Sequence, residues 1–148
     1  MPNSAPWPKK GNKAFASHND GAFFHLPSIS RLFPGHAEAF KIAAEMVIDT
    51  CQEAGRHPYN DELFHPVAYL YRHCLELQMK SIIRVGVGMD FFKPDEVADA
   101  LDGHNLARLW NRAKKLLLDR WPIADQAPLK AVEAIVNEFH QADPNGQV

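Results

Sequence analysis

Several features that would assign this chain to a familiar class are missing. The sequence has only two cysteines, Cys51 and Cys74, and both fall within apolar helical patterns. A disulfide scaffold is therefore not expected, and a reduced compartment is favoured. No apolar run reaches about 18 residues, and the N-terminus lacks the apolar region of a secretory signal. These absences predict a cytoplasmic protein with no membrane partner.

A strong excess of one charge is also absent. Sixteen Lys and Arg residues stand against 18 Asp and Glu residues, and the formal net charge is −2. Domains that bind nucleic acid over their whole surface are usually basic. The composition argues against such a protein, although it is compatible with a local basic patch.

Metal-binding and phosphate-binding motifs are missing as well. The chain has eight histidines, and a zinc site would need three or four ligands that converge. His73, Glu76 and His104, with Glu138 or His140, are the set that a helical bundle would bring together. However, the sequence contains no HExxH, CxxC or paired ExxH motif, and its GVG tripeptide lacks the rest of a phosphate-binding loop. We therefore predict no metal and no cofactor.

Helical periodicity is the main feature that is present. Apolar residues recur at three- and four-residue spacings over four stretches, whereas no convincing alternating pattern of a strand occurs. The pattern predicts an all-α protein, an antiparallel helical bundle of four main helices joined by short connections. We expect these helices at 36–54, 66–84, 104–120 and 126–141. The segment RHPYNDELFHP is expected to be a loop, and KPDEVADALDG is expected to hold at most one short helix.

The two ends of the chain differ from this helical middle. Residues 1–34 are rich in Pro, Gly, Asn and Ser, which predicts an irregular N-terminal segment ahead of a bundle domain at 35–148. The C-terminal DPNG is a turn signal, and a turn usually leads to a further element. We expect the bundle to be truncated at its C-terminus.

The segment YLYRHCLELQMKSII, residues 69–83, is the most informative part of the sequence. At about 100° per residue, one face of this helix is apolar, and it comprises Val67, Tyr71, Cys74, Leu75, Gln78 and Ile82. Beside it runs a polar stripe of Tyr69, Arg72, His73, Glu76, Lys80 and Arg84. Neighbours three or four residues apart can pair along it. The stripe is interpreted as a solvated face, a functional cleft or a buried structural network.

A second motif, GHNLARLW, opens the third main helix. The positive end of a helix dipole disfavours a charged imidazole, so His104 is expected to be neutral and suited to act as a base or a ligand. Asn105 or Asp102 is expected to cap the helix. Free N–H groups at a helix start also suit an anion. The plain alternative is a histidine that only hydrogen-bonds to the preceding loop.

These two motifs, followed by VNEFHQADPNG, resemble a family of uncharacterised bacterial helical proteins. Its members share the pattern Tyr-Arg-His-x-Leu-Glu-Leu-x-x-Lys, then Gly-His-x-Leu-x-x-Leu-Trp, then a Glu-Phe…Asp-Pro stretch that runs on into a Phe-Arg-Tyr element. The resemblance covers residues 66–146, and the chain stops before the last element.

More distantly, the arrangement is similar to HEPN domains. These are helical bundles, often dimeric, and many are ribonucleases of bacterial toxin or defence systems. Their usual mark is an Arg followed by His after four to six residues. Here only Arg31 and His36 have that spacing, with LFPG between them. If the function carries over, then Arg72, His73 and His104 have to supply the chemistry.

We therefore expect a HEPN-like protein that acts on RNA or a nucleotide and forms a homodimer. Metal-independent RNA cleavage needs a base, a cation for the phosphate and an acid for the leaving oxygen. The predicted catalytic residues are Arg72, His73, Glu76 and His104, and the predicted binding residues are Tyr69, Lys80 and Asn105. One alternative is a non-enzymatic binding or dimerisation module in which these residues form a structural polar network. A weaker alternative is a metal-binding bundle.

Overall fold

Five helices make up most of the part of the chain that the structure describes. The structure is a computed structural model, and it describes residues 32–55, 60–122, 126–144 and 146. The helices are α1 (Leu32–Ala54), α2 (Asn60–Gly88), α3 (Pro94–Asp102), α4 (Leu106–Arg120) and α5 (Ala127–Ala142). The described residues contain no strand. The predicted all-α class is confirmed.

The sequence predicts the number of helices more accurately than the residues at which they begin and end. The segment predicted as irregular, 1–34, lies outside the described residues except for 32–34, which form the start of α1. The helix predicted at 66–84 is longer at both ends in the structure. Helix α2 begins at Asn60, ends at Gly88 and contains Pro66 in its interior. Asp61 and Glu62 in its first turn complement the helix dipole. Among the described helices, none is both long and apolar enough to cross a membrane.

The hydrophobic core lies between α2, α3 and α4, and α5 closes it. Each of these helices contributes fully buried apolar side chains, such as Ile83 from α2, Val97 from α3, Leu109 from α4 and Val136 from α5. Burying a side chain of this size contributes about 1.5–3 kcal/mol to folding. The face of α2 that carries Met79 and Ile83 is therefore its core face.

The short helix α3 sets the direction of α4. Glu76 of α2 lies beside His104, just before α4, and Gly86 of α2 lies beside Leu116 of α4. The two long helices therefore run in the same direction, since α3 carries the chain back along α2 before α4 starts. In contrast, α5 runs antiparallel to α4, because Asp143 at its end and His104 just before α4 both contact Arg72. The antiparallel arrangement expected from the sequence therefore holds for α4 and α5, whereas α2 and α4 are parallel. His104 thus comes to the middle of α2.

The packing of α4 against the last turns of α2 requires a glycine at position 86. A Cβ added to Gly86 would lie 2.8 Å from the Phe92 ring and 3.0 Å from a Leu116 methyl group. We predict that Gly86→Ala lowers the free energy of unfolding by about 1–3 kcal/mol, because a full core tolerates no added methyl group. Urea denaturation measures the change. Gly88→Ala is the matched control, since no atom lies within 4 Å of its Cβ position.

Candidate functional site

The carboxylate of Glu76 is the centre of a buried cluster of charged groups. Its Oε1 accepts hydrogen bonds from Lys80 Nζ at 2.9 Å and from His104 Nδ1 at 2.9 Å. Its Oε2 accepts one from Arg72 Nη1 at 3.2 Å. Arg72, Glu76 and Lys80 are only 4%, 2% and 7% exposed. The interpretation of this stripe as a solvated face is therefore wrong for these three residues.

Arg72 connects four separate parts of the chain. Besides its bond to Glu76, it donates from Nη2 to the backbone oxygen of His104 at 2.8 Å, and its Nε lies 3.0 Å from Asp143 Oδ2. The C-terminal turn packs on the guanidinium, because a Cβ at Gly146 would lie 2.9 Å from Nη2. With φ of +69°, Gly146 occupies the conformation that glycine tolerates best. Arg72 therefore fastens α5 and the following turn to α2.

His104 is the solvent-accessible member of the cluster. Its side chain is 57% exposed, although its Nδ1 bonds to the nearly inaccessible Glu76 carboxylate. Asn105 is the N-cap of α4, and its Oδ1 accepts a hydrogen bond from the Arg108 backbone N–H at 2.9 Å. The predicted capping by Asn105 is confirmed. The Asn105 side-chain oxygen is therefore used to cap α4. Because His104 is the preceding residue, this cap also fixes the position of His104.

The electrostatics of the cluster keep Glu76 ionised. Burial alone would raise the pKa of Glu76, but the hydrogen bond and charge of Lys80, together with His104, lower that pKa below its ordinary value. An ionised carboxylate only accepts hydrogen bonds. The Nδ1 of His104 must therefore carry a proton, which leaves Nε2 as the basic nitrogen of the neutral ring.

His73 and Tyr69 lie on another flank of α2. The His73 ring stacks parallel to Tyr69 at 5.9 Å and meets Phe40 of α1 edge-on at 4.4 Å. Among the described residues, no hydrogen bond joins His73 to Glu76 or to His104, so the expected His73–Glu76 pair is replaced by His104–Glu76. The neighbouring Cys74 is buried, which raises the pKa of its thiol and disfavours a thiolate.

Burial gives His73 a pH-dependent effect on stability. Desolvation lowers the pKa of His73 below its ordinary value of 6.5, despite the opposing charge of Glu76. The unfolded chain then binds a proton more readily than the folded one, so stability is retained above about pH 6.5 and falls as the solution becomes more acidic. We predict that His73→Gln flattens the stability profile below about pH 6.5, the ordinary histidine pKa. Thermal unfolding at several pH values tests this, with the exposed His36→Gln as control.

The structure gives no support to a metal site. In the described ranges, no group of three or more His, Cys, Asp or Glu side chains is placed to hold a metal ion. Glu76 and His104 do meet, but Arg72 and Lys80 occupy the rest of the carboxylate's surroundings.

A basic helix face begins next to His104. Helix α4 carries five basic side chains and one acidic side chain. Arg108, Arg112 and Lys115, hereafter the α4 basic face, fall at four- and three-residue spacings on one side of the helix. Arg108 is paired with Asp99 at 3.0 Å, but both side chains are 56% exposed, so this pair is weak and exchangeable.

The sequence analysis therefore identified four residues of the buried cluster and did not identify two others that contact it. Arg72, Glu76, Lys80 and His104 converge, whereas His73 and Tyr69 form a separate aromatic contact with α1. Asp143 and Gly146 were missed. Their only signal was the DPNG turn, which predicted a turn but not the place where it packs.

Comparison with known proteins finds no match for this chain among family models, curated sequences or solved structures.

Proposed function

We propose that this chain is a HEPN-like protein that acts on RNA without a metal, with His104 as its acid–base group. One observation carries the proposal: an exposed imidazole is held through Nδ1 by a buried, ionised carboxylate. This is the arrangement by which a carboxylate fixes the tautomer of a general base and stabilises the imidazolium that forms. The distant similarity of the helical arrangement to HEPN domains supports a role in the bacterial cytoplasm, of the toxin or defence type.

The chemistry that this pair suits is attack by a ribose hydroxyl. His104 Nε2 takes the proton of the 2′-OH, and the 2′ oxygen bonds to the adjacent phosphorus. The bond from phosphorus to the 5′ oxygen breaks, and the leaving oxygen takes a proton from the imidazolium or from water. The products are a 2′,3′-cyclic phosphate and a 5′-hydroxyl end. Glu76 stays ionised throughout and orients the ring.

The α4 basic face supplies the phosphate contacts in this proposal. The expected catalytic role of Arg72 and binding role of Lys80 are revised, since both side chains are buried and directed to Glu76, Asp143 and the His104 carbonyl. They act instead by positioning Glu76. Arg108, Arg112 and Lys115 lie on the helix that follows His104 and are partly or largely accessible.

Binding of a single-stranded RNA oligonucleotide tests the role of the α4 basic face. We predict that Arg112→Ala/Lys115→Ala weakens binding. It should also reduce the slope of log K against log salt concentration by about 1.4, since each lost phosphate contact removes roughly 0.7. Fluorescence anisotropy at several salt concentrations measures both. Lys41→Ala/Lys130→Ala removes the same charge from α1 and α5 and should leave RNA binding closer to wild type.

A second function is favoured by the closure of the cluster. Every charged member of it has an opposite charge within 3.2 Å, and the turn at Gly146 covers Arg72. Such a network can have a purely structural role, in which it fixes the register of the helices. On this alternative the chain is a non-enzymatic binding or dimerisation module. It predicts no RNA cleavage at any pH, and sedimentation analysis of the full chain tests the homodimer.

A further inference from the structure

An open apolar groove runs along α2, with α1 and α5 as its walls. Three adjoining depressions of about 380, 440 and 450 Å³ make it up, and Phe139 of α5 borders all three. Its floor is α2 from Leu63 to Gln78, a distance of about 22 Å along a helix. Phe64, Tyr69 and Ile135 line it and are 66%, 47% and 48% exposed.

The rim of this groove is acidic. Helix α1 carries four acidic side chains and one lysine, Lys41, which lies between Glu38 at 3.8 Å and Glu45 at 3.7 Å. Nearby, the first turn of α2 carries Asp61 and Glu62, and Glu138 borders the groove on α5, where Arg72 and Asp143 also line it as an ion pair. The negative charge of these walls disfavours RNA here. The groove and the α4 basic face are thus surfaces of opposite charge.

We propose that this groove binds a basic amphipathic helix of a partner protein. Apolar residues on one face of such a helix would replace water over Phe64, Tyr69 and Ile135, as in other helix-in-groove complexes. Lys and Arg on its flanks would face the acidic rim, which fixes orientation and accelerates association. A helix of about 15 residues matches the length of the floor. Partner binding here does not depend on the proposed activity on RNA, although Arg72 and Asp143 of the buried cluster border one end of the groove.

The test uses the full chain and two synthetic peptides of about 16 residues. Both have leucines at helical spacing on one face; one carries lysines on the opposite face, and the other carries glutamates there. Fluorescence anisotropy should show the lysine peptide binding at least about tenfold more tightly at low salt, with the difference shrinking as salt rises. Equal binding of both peptides, or tighter binding of the glutamate peptide, overturns the proposal.

A pair of matched variants locates the binding. Phe64→Lys removes an exposed apolar side chain from the groove and adds a positive charge, whereas Val85→Lys makes the same change on α2 outside the groove; the two side chains are 66% and 53% exposed. Phe64→Lys should weaken binding of the lysine peptide about tenfold more than Val85→Lys does. Equal effects of the two variants overturn the proposal. A wild-type dimer that Phe64→Lys alone dissociates also overturns it, because the occupant is then a second copy.

Discussion

Replacing Glu76 with glutamine is expected to lower the free energy of unfolding by about 3–5 kcal/mol. The neutral amide would leave Arg72 and Lys80, which are 4% and 7% exposed, as buried cations without the carboxylate that they share. Whole domains are stable by only about 5–15 kcal/mol, so the variant should unfold at much lower urea concentration. Urea denaturation at neutral pH measures this. The account is contradicted if the loss is under about 1 kcal/mol, the range of solvated ion pairs.

Two comparisons make this result specific to the buried cluster. Glu45→Gln breaks an ion pair of α1 whose side chains are 43% and 47% exposed, and it should have a much smaller effect. Acidification should also reduce the difference between Glu76→Gln and wild type. Because the pKa of Glu76 is lowered in the folded protein, its stabilising contribution is present above the ordinary glutamate pKa and is lost as the pH falls through the folded value.

Replacing His104 with alanine is expected to reduce RNA cleavage by about 10²–10⁴-fold, the usual contribution of a general acid–base group. Alanine keeps the Cβ and the backbone carbonyl, so Arg72 retains its bond to that carbonyl. The chain should therefore remain folded, as circular dichroism would show. Cleavage of a labelled single-stranded oligoribonucleotide in the presence of a chelator measures the rate, and the products should carry cyclic phosphate ends.

Two controls accompany His104→Ala. His65→Ala removes an exposed imidazole of α2 and should cleave as wild type does. A deoxyribose at the cleavage position should block the reaction, because the attacking 2′ oxygen is missing. If His104→Ala cleaves at the wild-type rate, or if wild type does not cleave at all, the binding-module alternative replaces the proposed activity.

The sequence predicted well those structural features that depend only on residues close together in the chain, such as helix positions and a helix cap. The periodicity of 104–120 and 126–141 located α4 and α5 to within two residues, and the side chain of Asn105 identified the cap. The start of α2 was placed six residues late, since Pro66 was expected in the first turn and lies in the helix interior. A sequence pattern does not show when packing elsewhere in a helix compensates for an interior proline.

The burial of the charged stripe depended on distant residues. Arg72, Glu76, Met79, Ile83 and Gly86 follow one another at four- and three-residue spacings, so the charged positions continue the core face of α2. The face predicted to be the main apolar one, with Tyr71, Cys74 and Leu75, instead borders the groove. Charges at core positions are tolerated because they pair with one another along α2 and because His104 and Asp143 arrive from remote parts of the chain. One helix considered alone does not reveal those partners.

The most direct test is the tautomer of His104, measured by nitrogen-15 NMR of the labelled full chain at mildly alkaline pH. The account predicts that Nδ1 carries the proton in wild type, held by Glu76, and that Glu76→Gln weakens this preference. A neutral His104 protonated on Nε2, and unaffected by Glu76→Gln, would contradict the pairing on which the proposed function depends.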